Sequence, residues 1–245
     1  MKATKTAKNW SEITPAPWPA IWAWIFLAII FLGIANPLNF TLTVIKIGGI
    51  FLCLCYTFII YPRDRLIQLA FLATFVADIV LAINNTAEIG ILIFLIVQIL
   101  HAIRLEGKHY ITQIISFIVF ALAMLIINLF TNFAPMLYVI CGFYIVAIVT
   151  NTYISWRWWR RQLENLHAGS AFFGFALFLC CDICTGISYL SLINIFPGFL
   201  YSIANFFAWF FYYPSQVLVS NSSRLDAHIK QKSKAHNPDE DFPLL

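Results

Sequence analysis

The chain is 245 residues long, 61% hydrophobic and 11% charged, with a formal net charge of +4. A soluble domain carries about 25% charged residues. The composition therefore excludes an ordinary soluble enzyme and points to a membrane protein, in line with a mean hydropathy of +0.83. The basic residues are spread over several loops rather than clustered, so the positive balance is no signal for nucleic acid.

Crossing hydrocarbon takes roughly 20 apolar residues per helix. Eight spans are predicted, at 19–36, 40–61, 65–84, 87–103, 111–131, 134–155, 168–193 and 198–219. The expected fold is all-α, a polytopic transmembrane bundle over residues 19–220. An interfacial segment, 1–18, precedes it and a polar tail, 221–245, follows. The first span is longer than a signal-peptide core and lacks a clear small-residue cleavage site, so it reads as uncleaved.

Lys2, Lys5 and Lys8 precede span one, and Arg63 and Arg65, Arg104 and Lys108, Arg157, Arg160 and Arg161, and Arg224 through Lys234 follow spans two, four, six and eight, so all fall on one side. The intervening loops, around Asn39, Asn84, Asn132 and Phe196, carry no basic residue. The positive-inside rule then places both termini in the cytoplasm, as an even number of spans requires. Trp10, Trp18, Trp22 and the run Ser155-Trp-Arg-Trp-Trp-Arg-Arg161 suit an interfacial aromatic belt with snorkelling arginines. The tail, read as polar and mobile from Ser222, ends in Glu240-Asp-Phe-Pro-Leu-Leu245. That string resembles an acidic dileucine signal and is short enough to arise by chance. Abundant Ile, Phe, Asn and Lys suit a low-GC bacterium, and so a bacterial inner membrane.

Span seven contains the stretch Phe178-Leu-Cys-Cys-Asp-Ile-Cys-Thr-Gly-Ile-Ser188, an aspartate beside three cysteines. A catalytic zinc needs about three protein ligands, commonly His. Of five histidines only His101 falls within a span. Cys181-x-x-Cys184 has redox spacing without the βαβ context that gives the spacing meaning. Cys180, Cys181 and Cys184 cannot all face one side of a helix. All six cysteines lie at apolar depth and read as packing residues. No metal or organic cofactor is expected.

Lys46, Asp78 and Asp182 are the ionisable side chains well inside spans. Such groups are costly in hydrocarbon and usually face a cavity or each other. At a rise of about 1.5 Å per residue, Lys46 lies about 10 Å below the outer boundary, Asp78 about 9 Å and Asp182 roughly 12–16 Å. Three charges on three helices thus share a level in the outer half. The bland reading is an ion pair that only joins helices, as polar glue does in bundles.

Other polar residues could join them. Asn205, Trp209, Tyr212 and Gln216 share one face of span eight. Gln98 and His101 share one face of span four. Thr74 and Thr185 lie within a turn of the two aspartates.

Several segments around these residues resemble the YhhN-like family of eight-span membrane proteins, whose characterised members are lysoplasmalogenases. Gly174-x-x-x-Phe178-x-x-x-Asp182 is similar to the family's Gly…Phe…Ser-Asp segment, with Cys181 at the serine. Phe75-Val-Ala-Asp78-Ile-Val-Leu81 is similar to its Gly-Asp segment, with Ala77 at the glycine. Lys46 stands at the lysine of a Lys-Pro pair, with Ile47 replacing the proline. Gly90-x-x-x-Phe94 fits the start of span four, and Tyr212-Tyr-Pro-Ser-Gln216 the Tyr…Gln segment of span eight. Where the family usually has His in span four this chain has Gln98, and where Tyr usually follows it has His101.

The resemblance implies hydrolysis of the vinyl-ether bond of a lysoplasmalogen to a fatty aldehyde and a glycerophospho-base. The bilayer and a lysolipid substrate are then the partners. A vinyl ether is stable to base and labile to acid, so one group must be protonated near neutral pH and another anionic. Environments that push two carboxyl pKa values apart divide such roles. Asp78 and Asp182 are the expected acid/base pair, with Lys46 as charge partner of one of them. Gln98, His101, Asn205, Tyr212 and Gln216 are candidates to orient water or lipid polar groups. The alternatives are a transporter or lipid-binding protein that uses the buried charges for substrate or proton handling, a hydrolase of another lysolipid, and a non-catalytic helical scaffold.

Overall fold

The computed structural model describes residues 17–35, 40–83, 87–106, 111–131 and 136–222. Among the described residues there are eight helices and no strand: α1 (Pro17–Ala35), α2 (Phe40–Ile60), α3 (Arg65–Ile83), α4 (Ala87–Glu106), α5 (Ile111–Thr131), α6 (Met136–Arg161), α7 (Leu166–Leu192) and α8 (Phe199–Ser220). The terminal lysines, Trp10, the dileucine-like string and the loops at Asn39, Asn84, Lys108 and Asn132 lie outside the described residues.

Most helix ends fall close to the expected spans. The clearest exception is α6, which continues through Trp156–Arg161. No Gly or Pro interrupts it there, and Trp158 Nε1 donates to Gln162 Oε1 at 3.1 Å just past its end. The chain then turns sharply, and Asn165 caps α7 by accepting from the backbone N–H groups of His167 and Ala168. Trp159 folds back to stack on Phe172, with ring centroids 5.1 Å apart.

Among the described residues, five stretches are long and apolar enough to cross a membrane: Thr43–Ile60, Arg65–Ala82, Glu88–Glu106, Val139–Arg161 and Leu166–Leu192. Their outward faces carry exposed apolar side chains such as Leu69, Leu72 and Val76 on α3 and Ile145 and Val149 on α6. The interior holds Lys46, Thr74, Asp78, Gln98, Asn151, Ser215 and Gln216. Polar inside and apolar outside is the inverse of a soluble bundle, and it identifies the chain as an all-α integral membrane protein.

Helix adjacency does not follow chain order. Six helices close a ring in the order α2–α3–α4–α6–α7–α8 and back to α2. The helix α5 packs outside it on α6, and α1 packs outside it on α2 and α8. All six ring helices supply the inner layer of Ile50, Ala77, Phe94, Tyr144, Phe178, Cys181 and Tyr212. A second layer, toward the arginine-bearing end, contains Cys53, Phe71, Leu105, Ile154, Phe175 and Val219.

The tightest seam is between α7 and α8. A methyl group at Gly174 would stand 2.7 Å from Val219 Cγ2 and 3.0 Å from the Val219 backbone nitrogen. Only a hydrogen at that position lets the two helices approach so closely.

The end of α8 is tied down from four sides. Arg104 donates from one guanidinium nitrogen to the Ser222 carbonyl at 2.7 Å and from another to Ser222 Oγ at 2.9 Å. Tyr61 donates to Asn221 Oδ1 at 2.9 Å, and Tyr56 to the same oxygen at 3.2 Å. His167 Nδ1 lies 2.8 Å from the Asn221 carbonyl. A mobile tail starting at Ser222 is thereby corrected, because that residue is buried and hydrogen-bonded. Arg104, expected beyond its span, is instead buried inside α4, where a cation meets the carbonyl end of α8.

Candidate active site

Each intramembrane aspartate is held by a tyrosine from another ring helix. On α8, Tyr212 Oη lies 2.9 Å from Oδ1 and 2.7 Å from Oδ2 of Asp78, on α3. On α6, Tyr144 Oη donates to Asp182 Oδ2, on α7, at 2.8 Å. Asp78 is buried, whereas Asp182 is half-buried. The two carboxyls do not bond each other, yet both lie within electrostatic reach of Cys181.

An aromatic cluster joins the two tyrosines. Phe94 sets its ring edgewise to Tyr144, Phe178 and Tyr212, with centroids 6.3, 6.0 and 6.5 Å away. Phe178 and Tyr212 are 5.6 Å apart, and Trp209 and Tyr212 5.3 Å. Edge-to-face packing of this kind restricts ring rotation and so fixes where each hydroxyl points.

The local reasons lie in helix periodicity. Gly174, Phe178 and Asp182 are four residues apart, so the close approach at Gly174 carries Phe178 and Asp182 into the ring. On α8, Trp209 and Tyr212 follow the same inward face as Gln216. Pro214 supplies no N–H to the helix. The Ser215 hydroxyl donates to the Tyr212 carbonyl at 2.6 Å, adding a local bond beside the proline.

Lys46 faces inward on α2, in line with Ile50 and Cys53. The expected ion pair with an aspartate is corrected: its Nζ sits 3.8 Å from the centroid of the Trp209 ring, and among the described residues it forms no ion pair. Tyr212 holds Asp78 and Tyr144 holds Asp182, so both carboxyls have hydroxyl partners in place of the ammonium.

The other candidates occupy different places. Gln98 is fully buried, and its Oε1 accepts from Asn151 Nδ2 at 2.9 Å. The same amide donates to the Gln98 main-chain carbonyl at 2.8 Å, which fixes the orientation of Asn151. Gln98 Nε2 and Asn151 Oδ1 are left with no hydrogen-bond partner among the described residues. Gln98 also neighbours Tyr144. His101 lies in the second layer, with its ring 5.2 Å from Phe175 and 6.5 Å from Phe71. Gln216 is buried and leans weakly on Ser215, while Asn205 is half-buried. Thr74 and Thr185 spend their hydroxyls on the Ala70 and Cys181 carbonyls of their own helices. Cys181 is buried, Cys184 half-buried and Cys180 exposed, so the three point different ways.

Tyr144 and Asn151 were not among the expected site residues. They are two turns apart on α6, on a buried face that also contains Ile148 and Ser155. A polar stripe within an otherwise apolar span was the available signal.

The family model of the YhhN family matches residues 41–223. The chain belongs to the YhhN family. The match takes in the whole six-helix ring and leaves out α1. No curated protein and no solved structure gives a significant match.

Proposed function

We propose that this YhhN-family chain is an intramembrane lipid hydrolase that cleaves the vinyl-ether bond of lysoplasmalogens, in a bacterial inner membrane with both termini cytoplasmic. The observation that carries the reading is the pair of tyrosine-held aspartates, Asp78 with Tyr212 and Asp182 with Tyr144, in one aromatic layer of the ring.

The two carboxyls have unequal surroundings, and that supports unequal roles. A hydroxyl that donates to a carboxylate stabilises the anion. Tyr212 serves both oxygens of buried Asp78, which suits it to remain a carboxylate beside a developing cation. Tyr144 serves one oxygen of half-buried Asp182, leaving Oδ1 to carry a proton. In this scheme Asp182 transfers that proton to the vinyl carbon remote from the ether oxygen. The carbon bonded to oxygen becomes an oxocarbenium centre, which Asp78 stabilises. Water adds there and loses a proton to the Asp182 carboxylate. The resulting hemiacetal collapses to a fatty aldehyde and the glycerol hydroxyl, so the sum is addition of one water. Gln98 Nε2, with no partner among the described residues, could donate to the incoming water or to a lipid oxygen. The apolar helix faces would house the chain that leaves as aldehyde.

The test is aldehyde release by the purified protein from a 1-alkenyl lysolipid, set beside fatty-acid release from its 1-acyl ester analogue. Release from the alkenyl lipid alone supports the reading. Turnover of only the ester would replace it with another lysolipid hydrolase.

A further inference from the structure

Lys46 is left with chemistry that the acid/base pair does not use. The residue is only 6% exposed and lies on the inward stripe of α2 with Ile50, Cys53 and Thr57. Its ammonium rests 3.8 Å over the Trp209 ring and forms no ion pair among the described residues. A cation–π contact returns only part of what it costs to desolvate an ammonium. The π face also engages one side of a group that has three N–H donors. What remains is a cation inside the ring, with donors to spare and no anion of its own among the described residues.

The surroundings say which anion would fit. Trp209 packs edgewise on Tyr212, and Tyr212 bonds Asp78, so the cation adjoins the aspartate layer through two side chains in contact. A lysophospholipid carries its phosphate at one end of the glycerol and the scissile bond at the other. Lysine binds phosphate as a point charge and makes no demand for a planar partner.

We propose that Lys46, seated on Trp209, holds the phosphate of the lipid substrate and makes the site prefer phosphorylated lysolipids over neutral glycerol ethers. The proposal rests on the lipid-hydrolase reading for its substrate, but it concerns binding and can be measured without turnover.

The probes are two non-hydrolysable lipids of equal chain length, 1-O-alkyl-glycero-3-phosphoethanolamine and 1-O-alkyl-glycerol, titrated into purified protein in detergent. The wild type should bind the phosphorylated lipid more tightly. Lys46→Met keeps an unbranched chain of similar length and should reduce that preference by about thirtyfold or more, the range for removing one partner of a buried charge pair. Lys46→Arg should keep most of it. Lys46→Gln gives the same reading should the Met variant fail to fold.

Equal loss of both lipids, or an unchanged preference, would overturn the proposal. Inorganic phosphate should displace the phosphorylated lipid weakly and the neutral lipid not at all; displacement of both would also overturn it. If the wild type releases no aldehyde yet Lys46→Met loses the phosphate preference, the hydrolase reading fails and the phosphate site stands. If aldehyde is released and the preference is untouched, the reverse holds.

Discussion

Tyr212 and Asp78 lie 134 residues apart in the chain and meet inside the bundle, where the phenol oxygen is 2.7 Å from one carboxylate oxygen and 2.9 Å from the other. The contact joins α8 to α3, two helices that are not immediate neighbours in the ring. It therefore reaches across the interior, and it sets the position of the more buried of the two proposed catalytic groups.

Replacing Tyr212 by Phe should keep the ring packed against Phe94, Phe178 and Trp209 while removing the hydroxyl. A hydrogen bond to a charged group is worth about 1.5–3 kcal/mol. Aldehyde release should therefore fall by roughly tenfold to a hundredfold, with the elution profile of the purified protein unchanged. A Phe variant as active as the wild type would remove Tyr212 from the site.

The close seam at Gly174 gives a paired stability test. Gly174→Ala forces a methyl group onto Val219 and should destabilise the protein by about 1–3 kcal/mol, as overpacking does. A methyl group at Gly186, on the same helix, would meet nothing within 4 Å. Gly186→Ala should be neutral or stabilising by up to about 1 kcal/mol through helix propensity. Thermal unfolding in detergent, followed by helical circular dichroism, compares the two. Equal effects would mean that the α7–α8 approach is looser than described.

Much of the fold was legible because long apolar runs bounded by polar loops can satisfy their backbone only as helices in a bilayer. The depths of Lys46, Asp78 and Asp182 were legible for the same reason, since helix rise converts sequence distance into height. Rotation and adjacency were not. Nothing in the spans said that α4 packs on α6 and leaves α5 outside. Lys46 and both aspartates could be placed at one level, but not who faced whom. The tyrosines took the carboxyls and the indole took the lysine. Tyr144 and Asn151 escaped notice because a neutral polar residue within a span reads alike whether it faces lipid or interior. Arg104 escaped because a charge near a span end is ordinarily wet.

Arg104 joins α4 to the end of α8 by two bonds to Ser222. Arg104→Met leaves the buried Ser222 carbonyl without that donor, and should lower stability by about 1.5–3 kcal/mol. Arg104→Lys should restore only part, because an ammonium lacks the planar fork that reaches both oxygens. The midpoint of thermal unfolding checks the order wild type, Lys, Met. A Met variant that melts with the wild type would show that Tyr56, Tyr61 and His167 anchor the end of α8 without Arg104.

Asn151 holds Gln98 through both its side chain and its main chain. Asn151→Leu leaves two buried acceptors without their donor and should cost about 1–3 kcal/mol of stability. It should also slow aldehyde release, because Gln98 is then free to rotate away from Tyr144. Asn151→Asp, which cannot donate when ionised, should behave like the Leu variant. Activity at the wild-type level in both would separate this amide pair from the reaction.

The central claim is that two carboxyls divide the work of vinyl-ether hydrolysis. It is tested most directly by the rate of aldehyde release from a 1-alkenyl lysolipid in purified wild type, Asp78→Asn and Asp182→Asn, each first shown to unfold at a temperature close to that of the wild type. Asparagine keeps the shape of the carboxyl but can neither donate a carboxylic proton nor carry the charge. Each variant should lose at least about a hundredfold, the lower end for a general acid or base. Either variant turning over at the wild-type rate would contradict it.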